Sequence, residues 1–146
     1  KTIKNNRSTC PLVNLLDIFG DRWTLVIIRD LFNGKKSFRD FLESPEKIST
    51  SVLANRLQLL EGAGIAQHIL SNKDKKVKWY YLTDRGIDIF PILYEMVYWS
   101  KRNLDQEFHP FYKEWFKKYE SLTSEQTITE NQKKYKVERE ELLELQ

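Results

Sequence analysis

The segment after Ile48 carries side chains of the types that bind nucleic acid. Asn and Gln can pair with adenine, Arg can pair with guanine, and Ser or Thr at a helix start can hold phosphate. Leu53, Leu57 and Leu60 recur at helical spacing and predict the buried face of a helix. The outward positions supply the candidate DNA contacts Ser49, Thr50, Ser51, Asn55, Arg56 and Gln58. The same side chains also fit plain capping and solvated surface, so this alternative stays open.

A second cluster of polar residues follows that helix. Residues 65–70 alternate in character and residues 77–82 are rich in β-favouring side chains, which predicts a hairpin with a polar turn. The only acid in the segment from residue 72 to 78 is Asp74. The basic residues there are Lys73, Lys75, Lys76 and Lys78. Lysines beside a recognition helix are expected to contact phosphates or the minor groove, although such a run is also typical of a solvated turn.

Residues suited to catalysis or metal binding form no recognisable pattern. His68 and His109 have no carboxylate or thiol at ligand spacing, and Cys10 has no nearby histidine partner. Glycine-rich phosphate loops, nucleophile elbows and zinc-protease motifs are missing from the sequence. We therefore expect no enzymatic activity, no cofactor and no metal site. The aromatic residues Trp23, Trp79, Trp99 and Trp115 are expected in the core or an interface rather than in a ligand cage.

Apolar residues at helical spacing predict the elements that position these two clusters. Pro11 begins a first helix, and Asp21 is a candidate cap of the second. Ser37 and Asp40 form a capping-box pattern ahead of a short third helix, the first half of a helix-turn-helix pair. The predicted order of elements is helix, helix, short helix, helix, hairpin, helix. The fold class is therefore mainly α with a small β-hairpin (α+β). This order is typical of a winged helix-turn-helix.

The chain length of 146 residues fits one domain with appendages. A long fifth helix, capped by Thr83, is predicted to carry apolar residues as far as Leu104, and Pro91 is expected either to bend it or to mark its first turns. Residues 10–103 form the predicted winged helix domain. Residues 104–146 form a predicted helical extension that is first aromatic-rich and then acidic.

The second part of that extension is predicted to start at Thr127, with Glu130 completing a capping box. Residues 1–120 hold 20 basic and 15 acidic side chains, a balance that permits nucleic-acid binding. The segment after Cys10 lacks the features of a secretory signal, and no apolar run approaches a membrane span. The expectation is a cytoplasmic protein with no membrane partner.

An ordered set of residues resembles the HxlR-type winged helix-turn-helix family of transcription regulators. The set covers roughly residues 10–103. Its members are Cys10-Pro11, Leu16-Asp17, Gly20, Arg22-Trp23-Thr24, Arg29-Asp30-Leu31, Gly34, Phe38, Ile48-Ser49, Val52-Leu53, Arg56-Leu57, Leu60, Gly64, Tyr81-Leu82-Thr83 and Gly86.

The resemblance implies a homodimer, formed through the first and fifth helices, that binds a pseudo-palindromic operator in double-stranded DNA. The C-terminal extension is a further candidate for that interface. The resemblance also implies that residues 49–56 and the lysine-rich hairpin contact DNA. Ser37 and Arg39, on the first helix of the helix-turn-helix pair, are added as candidate contacts.

Some members of that family sense oxidants through a cysteine just before the first-helix proline, and Cys10 matches this position. A thiol at a helix start, with Lys4 and Arg7 upstream, is expected to ionise more easily. The alternative is a capping or interface residue without a sensing role. The chain has one cysteine, so the resemblance leaves a link between two Cys10 residues of a dimer, or a mixed disulfide with a small thiol.

The sequence therefore predicts a homodimeric, sequence-specific regulator of transcription, with redox response through Cys10 as an added candidate property. Two other hypotheses remain. The first is a protein-interaction module that uses the aromatic C-terminal segment for partners. The second is a regulator that binds an apolar small-molecule effector between the fifth helix and the aromatic tail, beside Trp99 and Trp115.

Overall fold

The computed structural model describes residues 7–145, which form eight helices and one two-stranded antiparallel sheet. The helices are α1 Pro11–Phe19, α2 Thr24–Phe32, α3 Phe38–Leu42, α4 Thr50–Gly62, α5 Asp84–Ile87, α6 Phe90–Asn103, α7 Pro110–Tyr119 and α8 Ser124–Glu144. The strands are β1 Ala66–Leu70 and β2 Lys78–Leu82. The predicted class, mainly α with a β-hairpin in a winged helix-turn-helix order, is confirmed.

Both helices of the helix-turn-helix pair start at the predicted caps. Ser37 Oγ accepts from the Asp40 N–H, and the Asp40 carboxylate accepts from the Ser37 N–H, which completes the capping box of α3. Ser49 caps α4 by accepting from the Val52 N–H. The inward leucines of α4 are fully buried in the core with Phe41 of α3. Burial of this face fixes which flank of α4 remains outside.

The hairpin pairs Ala66 with Leu82 and Leu70 with Lys78. Its second strand is anchored to the segment before α3, because the Tyr80 N–H donates to the Lys36 carbonyl at 2.8 Å. Thr83, the residue after β2, donates its hydroxyl to the Gly64 carbonyl at 2.6 Å. The hairpin is therefore attached at its base both to the end of α4 and to the segment that leads into α3.

The prediction of a single fifth helix is wrong, because the segment from Thr83 onward forms two helices. α5 ends after one turn, and α6 begins at Phe90 with Pro91 in its first turn. Proline lacks an N–H and fixes a helical φ, so it fits a helix start better than a helix interior. Leu104, placed on this helix by the prediction, is the extended residue that follows α6.

The capping box predicted in the C-terminal extension, at Thr127 and Glu130, is also misplaced. α8 begins one turn earlier than expected, with Thr123 and Gln126 forming the box, while Thr127 is buried within the helix. Thr123 and Gln126 have the same three-residue spacing as Thr127 and Glu130, so spacing alone did not discriminate between the two pairs.

α8 contributes to the same core as the winged helix elements. Tyr135 is buried, and its hydroxyl accepts from the Leu82 N–H at 2.8 Å. Arg139 donates to the Leu82 carbonyl at 3.1 Å, so α8 satisfies both backbone groups of this residue at the end of β2. Gln132 donates to the Ile87 carbonyl, which links α8 to α5. In residues 7–145 no helix combines the length and apolar character that a membrane crossing requires.

Candidate nucleic-acid interface

The outward flank of α4 presents the polar side chains that the sequence singled out. Asn55 and Gln58 are exposed, as are the two residues that open the helix, Thr50 and Ser51. We call these four residues the recognition flank. Because the leucines on the opposite side are buried, the flank is held in a fixed orientation without using its own side chains. It offers amide and hydroxyl groups that can read base edges or hold phosphates.

Ser49 and Arg56 have partners within the protein. The Ser49 hydroxyl caps α4, as predicted by the capping interpretation. The Arg56 Nε lies 3.4 Å from Asp21 Oδ2, and its side chain is 28% exposed. Asp21 also accepts from the backbone N–H groups of Trp23 and Thr24. Arg56 thus joins α4 to the turn between α1 and α2.

Burial by itself would raise the pKa of Asp21, but these hydrogen bonds and the positive charge of Arg56 hold it below its usual value. Asp21 is therefore ionised at neutral pH and attracts the guanidinium. No local sequence signal marks this pair, because 35 positions separate the two residues in the chain.

The two candidate contacts on α3 differ in exposure. Ser37 is half-buried and its hydroxyl is used in the capping box. The Arg39 side chain is 88% exposed and its Nε lies 3.4 Å from Glu43. An exposed pair of this kind is weak, so the guanidinium remains available to a phosphate. Hydrogen bonds from backbone N–H groups of Lys36 and Ser37 outweigh burial and lower the pKa of Asp40.

In the turn of the hairpin, the one acidic side chain is bound to the backbone and the lysine side chains are exposed. Asp74 accepts from the Lys76 N–H at 3.0 Å, and its carbonyl accepts from the Val77 N–H. Four exposed lysines surround this turn, and we call them the lysine wing: Lys73, Lys75, Lys76 and Lys78. Lys78 is the first residue of β2 rather than part of the tip. The wing therefore presents a cluster of cations in the part of the fold that follows α4.

A buried polar network supports the start of α4, and sequence reasoning missed it. Asp30 is 3% exposed and accepts from Arg29 at 2.8 Å and from the buried Ser44 hydroxyl. Arg29 also donates to both oxygens of Glu46, at 2.6 and 3.1 Å. These hydrogen bonds hold the pKa of Glu46 below its usual range. The network fixes the loop between α3 and α4 to α2.

The same loop contains a strained residue. Lys47 has φ of +58°, a left-handed conformation that side chains other than glycine rarely adopt. Such a conformation persists when the surrounding contacts enforce it. Here the contacts on either side are the Arg29–Glu46 pair and the cap at Ser49. The Arg-Asp pattern at positions 29 and 30 was visible in the sequence, but its partners in the loop were not.

Cys10 is exposed at the N-cap position of α1. Its N–H donates to Ser8 Oγ at 3.1 Å. Arg7, expected to assist the thiol, instead pairs with Asp17 at 2.7 Å. Lys4, the other expected helper, lies outside the described residues. Across residues 7–145, the side chains of His, Cys, Asp and Glu form no group of three or more that could hold a metal ion.

A cleft of about 520 Å³ lies on a different part of the molecule, between α2, α6, α7 and α8. Trp115 and Tyr135 are among its lining residues. Trp99, the other residue expected beside such a cavity, is not part of the lining and is 54% exposed. We call this space the aromatic cleft. Its apolar walls and its size lie within the range of small-molecule sites in proteins.

Comparisons with known proteins point to helix-turn-helix transcription regulators. The model of the HxlR-like helix-turn-helix family matches residues 18–108. The uncharacterized HTH-type transcriptional regulator YybR of Bacillus subtilis is 30% identical over 105 residues, which are 72% of this chain and 84% of YybR. The residues that the family model matches include the helix-turn-helix pair, the hairpin and α6.

Two solved structures are similar in fold. The reduced form of the transcriptional regulator YodB from B. subtilis is 29% identical, with a TM-score of 0.57, covering 69% of this chain and 100% of that one. The redox regulator HypR in its oxidized form is 30% identical, with a TM-score of 0.59, covering 66% of this chain and 100% of that one.

Proposed function

The chain belongs to the HxlR-like helix-turn-helix family, and we propose that it regulates transcription by binding double-stranded DNA as a homodimer. The observation that carries this proposal is the exposed recognition flank of α4, which stands on a fully buried leucine face. An α-helix fits the major groove of B-DNA, where amide side chains read base edges. In this proposal the chain acts in the cytoplasm, by occupying a promoter rather than by catalysis.

In this proposal Asn55 and Gln58 contact bases, and the start of α4 contacts the DNA backbone. The hydroxyls of Thr50 and Ser51 lie in the first turn of α4, where unpaired N–H groups and the helix dipole favour phosphate. The lysine wing contacts phosphates or the minor groove beside the site read by α4. Arg39 adds a phosphate contact from α3. Arg56 acts indirectly, by holding α4 against Asp21.

The homodimer is supported by apolar side chains that the single chain leaves exposed. Leu12 and Leu16 on α1 are 63% and 47% exposed, and Met96 and Trp99 on α6 are 51% and 54% exposed. Large apolar side chains grouped on two helices are typical of an interface. A two-fold dimer places its recognition helices on half-sites roughly 34 Å apart, and this spacing matches a pseudo-palindromic operator.

The proposal is tested in two steps. Bound sequences are first selected from a pool of random duplexes, and the selected site is then titrated with the protein. We expect two related half-sites about one helical turn apart. We expect affinity for the selected duplex at physiological salt to exceed that for a scrambled duplex by at least about a thousandfold. Equal affinity for both duplexes, vanishing near physiological salt, would reject sequence-specific regulation.

A redox response through Cys10 is a second proposed property of the same regulator. It is supported by the exposure of Cys10 at the start of α1 and by the similarity to HypR, a redox regulator solved in oxidized and reduced forms. Two Cys10 thiols of a dimer would form one disulfide, releasing two protons and passing two electrons to an oxidant such as diamide.

Non-reducing electrophoresis after diamide treatment tests this property. We expect a covalent dimer, reversed by dithiothreitol and missing from the Cys10→Ser variant, together with a changed affinity for the selected operator. Operator affinity that is the same before and after oxidation would reject the response while leaving DNA binding intact.

A further inference from the structure

The aromatic cleft is built by four helices from distant parts of the chain. Phe32 comes from α2, Phe90 and Leu93 from α6, Trp115 from α7 and Tyr135 from α8. The cleft is therefore not a gap between neighbours in sequence. Phe32 contacts the rings of Phe90 and Tyr135 edge to face, with ring centres 5.1 and 5.3 Å apart. The floor of the cleft is thus a set of fixed aromatic surfaces.

The charged side chains around the cleft balance one another. α7 contributes Glu114 and Lys118, and α8 contributes Lys134 and Glu138. Arg29, which also lines the cleft, is already neutralised by Asp30 and Glu46. A balanced rim gives no net attraction for an ion, while the aromatic walls favour stacking and apolar burial. The chemistry of the lining therefore selects an uncharged planar ring system.

We propose that the aromatic cleft binds a small uncharged aromatic molecule and that occupancy is transmitted through Arg29 to the recognition helix. The cleft volume of about 520 Å³ suits a molecule of a few rings and is small for a helix about 10 Å across. This inference rests on the proposed function, because its consequence is a change in operator affinity.

The route from the cleft to α4 is a short series of contacts. Arg29 lines the cleft and holds both oxygens of Glu46. Glu46 precedes the left-handed residue Lys47, and the cap Ser49 follows two residues later. An aromatic ring that stacks on the Arg29 guanidinium competes with Glu46 for this side chain, and so weakens a contact that holds the loop at Lys47. The loop then relaxes and the start of α4 moves out of its DNA-binding position.

Binding is tested with N-phenyl-1-naphthylamine, an uncharged aromatic fluorophore, on the full chain. We expect saturable binding to the wild type. A tryptophan that fills the cleft should weaken this binding at least about tenfold, equivalent to about 1.4 kcal/mol. Asn131→Trp and Asn33→Trp are two such variants, since both residues line the cleft from different parts of the chain. Lys133→Trp, at an exposed position of α8 outside the lining, is the matched control and should bind as the wild type does.

The binding site would be overturned if the wild type showed no saturable binding of the probe, or if Lys133→Trp lost as much probe affinity as the cleft variants. It would also be overturned if the cleft variants that retain the wild-type circular dichroism spectrum lost no probe affinity. Anilinonaphthalene sulfonate has the same ring system with an added negative charge. Tighter binding of this anion than of the uncharged probe would overturn the assigned ligand class.

Transmission is tested by measuring affinity for the selected operator with and without saturating N-phenyl-1-naphthylamine. We expect the probe to weaken operator binding of the wild type about fivefold or more, the lower range of coupling between two sites. Glu46→Gln should reduce this coupling, while Glu43→Gln, three residues earlier and exposed, should retain it. Probe binding that leaves operator affinity unchanged, or equal coupling in both variants, would overturn the transmission. Failure of the proposed function is a distinct result, because the wild type would then show no sequence-specific DNA binding even when the probe is absent.

Discussion

The recognition flank and the aromatic cleft are two faces of one fold with opposite construction. On the recognition flank, Asn55 and Gln58 are exposed and take no part in holding the fold together. Around the cleft, the rings interlock, with Tyr94 and Tyr98 centres 4.4 Å apart and Trp115 and Tyr119 centres 5.0 Å apart. This difference indicates that DNA affinity and folding stability reside in different residues. Substitutions should therefore change one property while leaving the other nearly intact.

The largest expected effect concerns stability on the cleft side. Tyr135→Ala should lower the free energy of unfolding by about 3–5 kcal/mol, because it removes a buried ring and leaves the Leu82 N–H without its acceptor. Tyr135→Phe retains the ring and should lower it by about 1 kcal/mol. Denaturant unfolding followed by circular dichroism measures both. A decrease below about 1 kcal/mol for Tyr135→Ala would show that α8 is not part of the cooperative core.

The next effect concerns DNA affinity on the other face. Replacing Lys73, Lys75 and Lys76 together by alanine should weaken operator binding on the order of a hundredfold at low salt and reduce the salt dependence. The slope of log affinity against log salt should fall by up to about 0.9 for each phosphate that the variant no longer neutralises. Thermal stability should be unchanged, because all three side chains are exposed. A slope equal to that of the wild type would remove the wing from the DNA interface.

A smaller and more selective effect on operator affinity is expected for the amide side chains of α4. Asn55→Ala should weaken binding to the selected operator by about 1–3 kcal/mol and broaden base preference at one position in each half-site. Binding to a scrambled duplex should hardly change. Gln58→Ala should act at a different base position. Equal weakening on both duplexes would mean that Asn55 contacts only phosphate.

The sequence predicted the elements that carry the recognition flank and the lysine wing, because the signals for these elements are local. The leucine spacing of α4, the caps at Ser37 and Ser49, and the paired strands of the hairpin all depend on residues close together in the chain. The division near Pro91 was also locally marked, since proline fits both a bend and a helix start. The sequence left these two alternatives open, and the structure shows the helix start.

The cleft and its link to α4 could not be predicted in the same way. Leu82 and Tyr135 are 53 residues apart in the chain, and Arg29 and Glu46 are 17 apart. No periodicity or motif marks such a contact. The aromatic residues of the extension predicted packing or an interface, but which helices they would meet depends on the whole fold.

The smallest effect is the pH dependence contributed by Glu46. Its pKa is lowered in the folded protein by Arg29, so the pair stabilises the fold above about pH 4.3, the ordinary value for glutamate. This stabilisation disappears as the pH falls through the lower folded-state pKa. Thermal unfolding between about pH 7 and 2.5 should therefore show a shallower acid decline in Glu46→Gln. The exposed control Glu107→Gln should follow the wild type, and identical curves for all three would mean that the pair adds nothing to stability.

The recognition flank and the lysine wing are proposed to lie against DNA, whereas α7 and α8 are not. The most direct test is to titrate the isotope-labelled chain with its selected operator and to record the changes in its amide chemical shifts. We predict the largest shifts within residues 50–58 and 73–78, with small shifts in residues 110–144. Shifts concentrated in α7 and α8, with α4 unchanged, would contradict the account and favour a protein-interaction module built on the same fold.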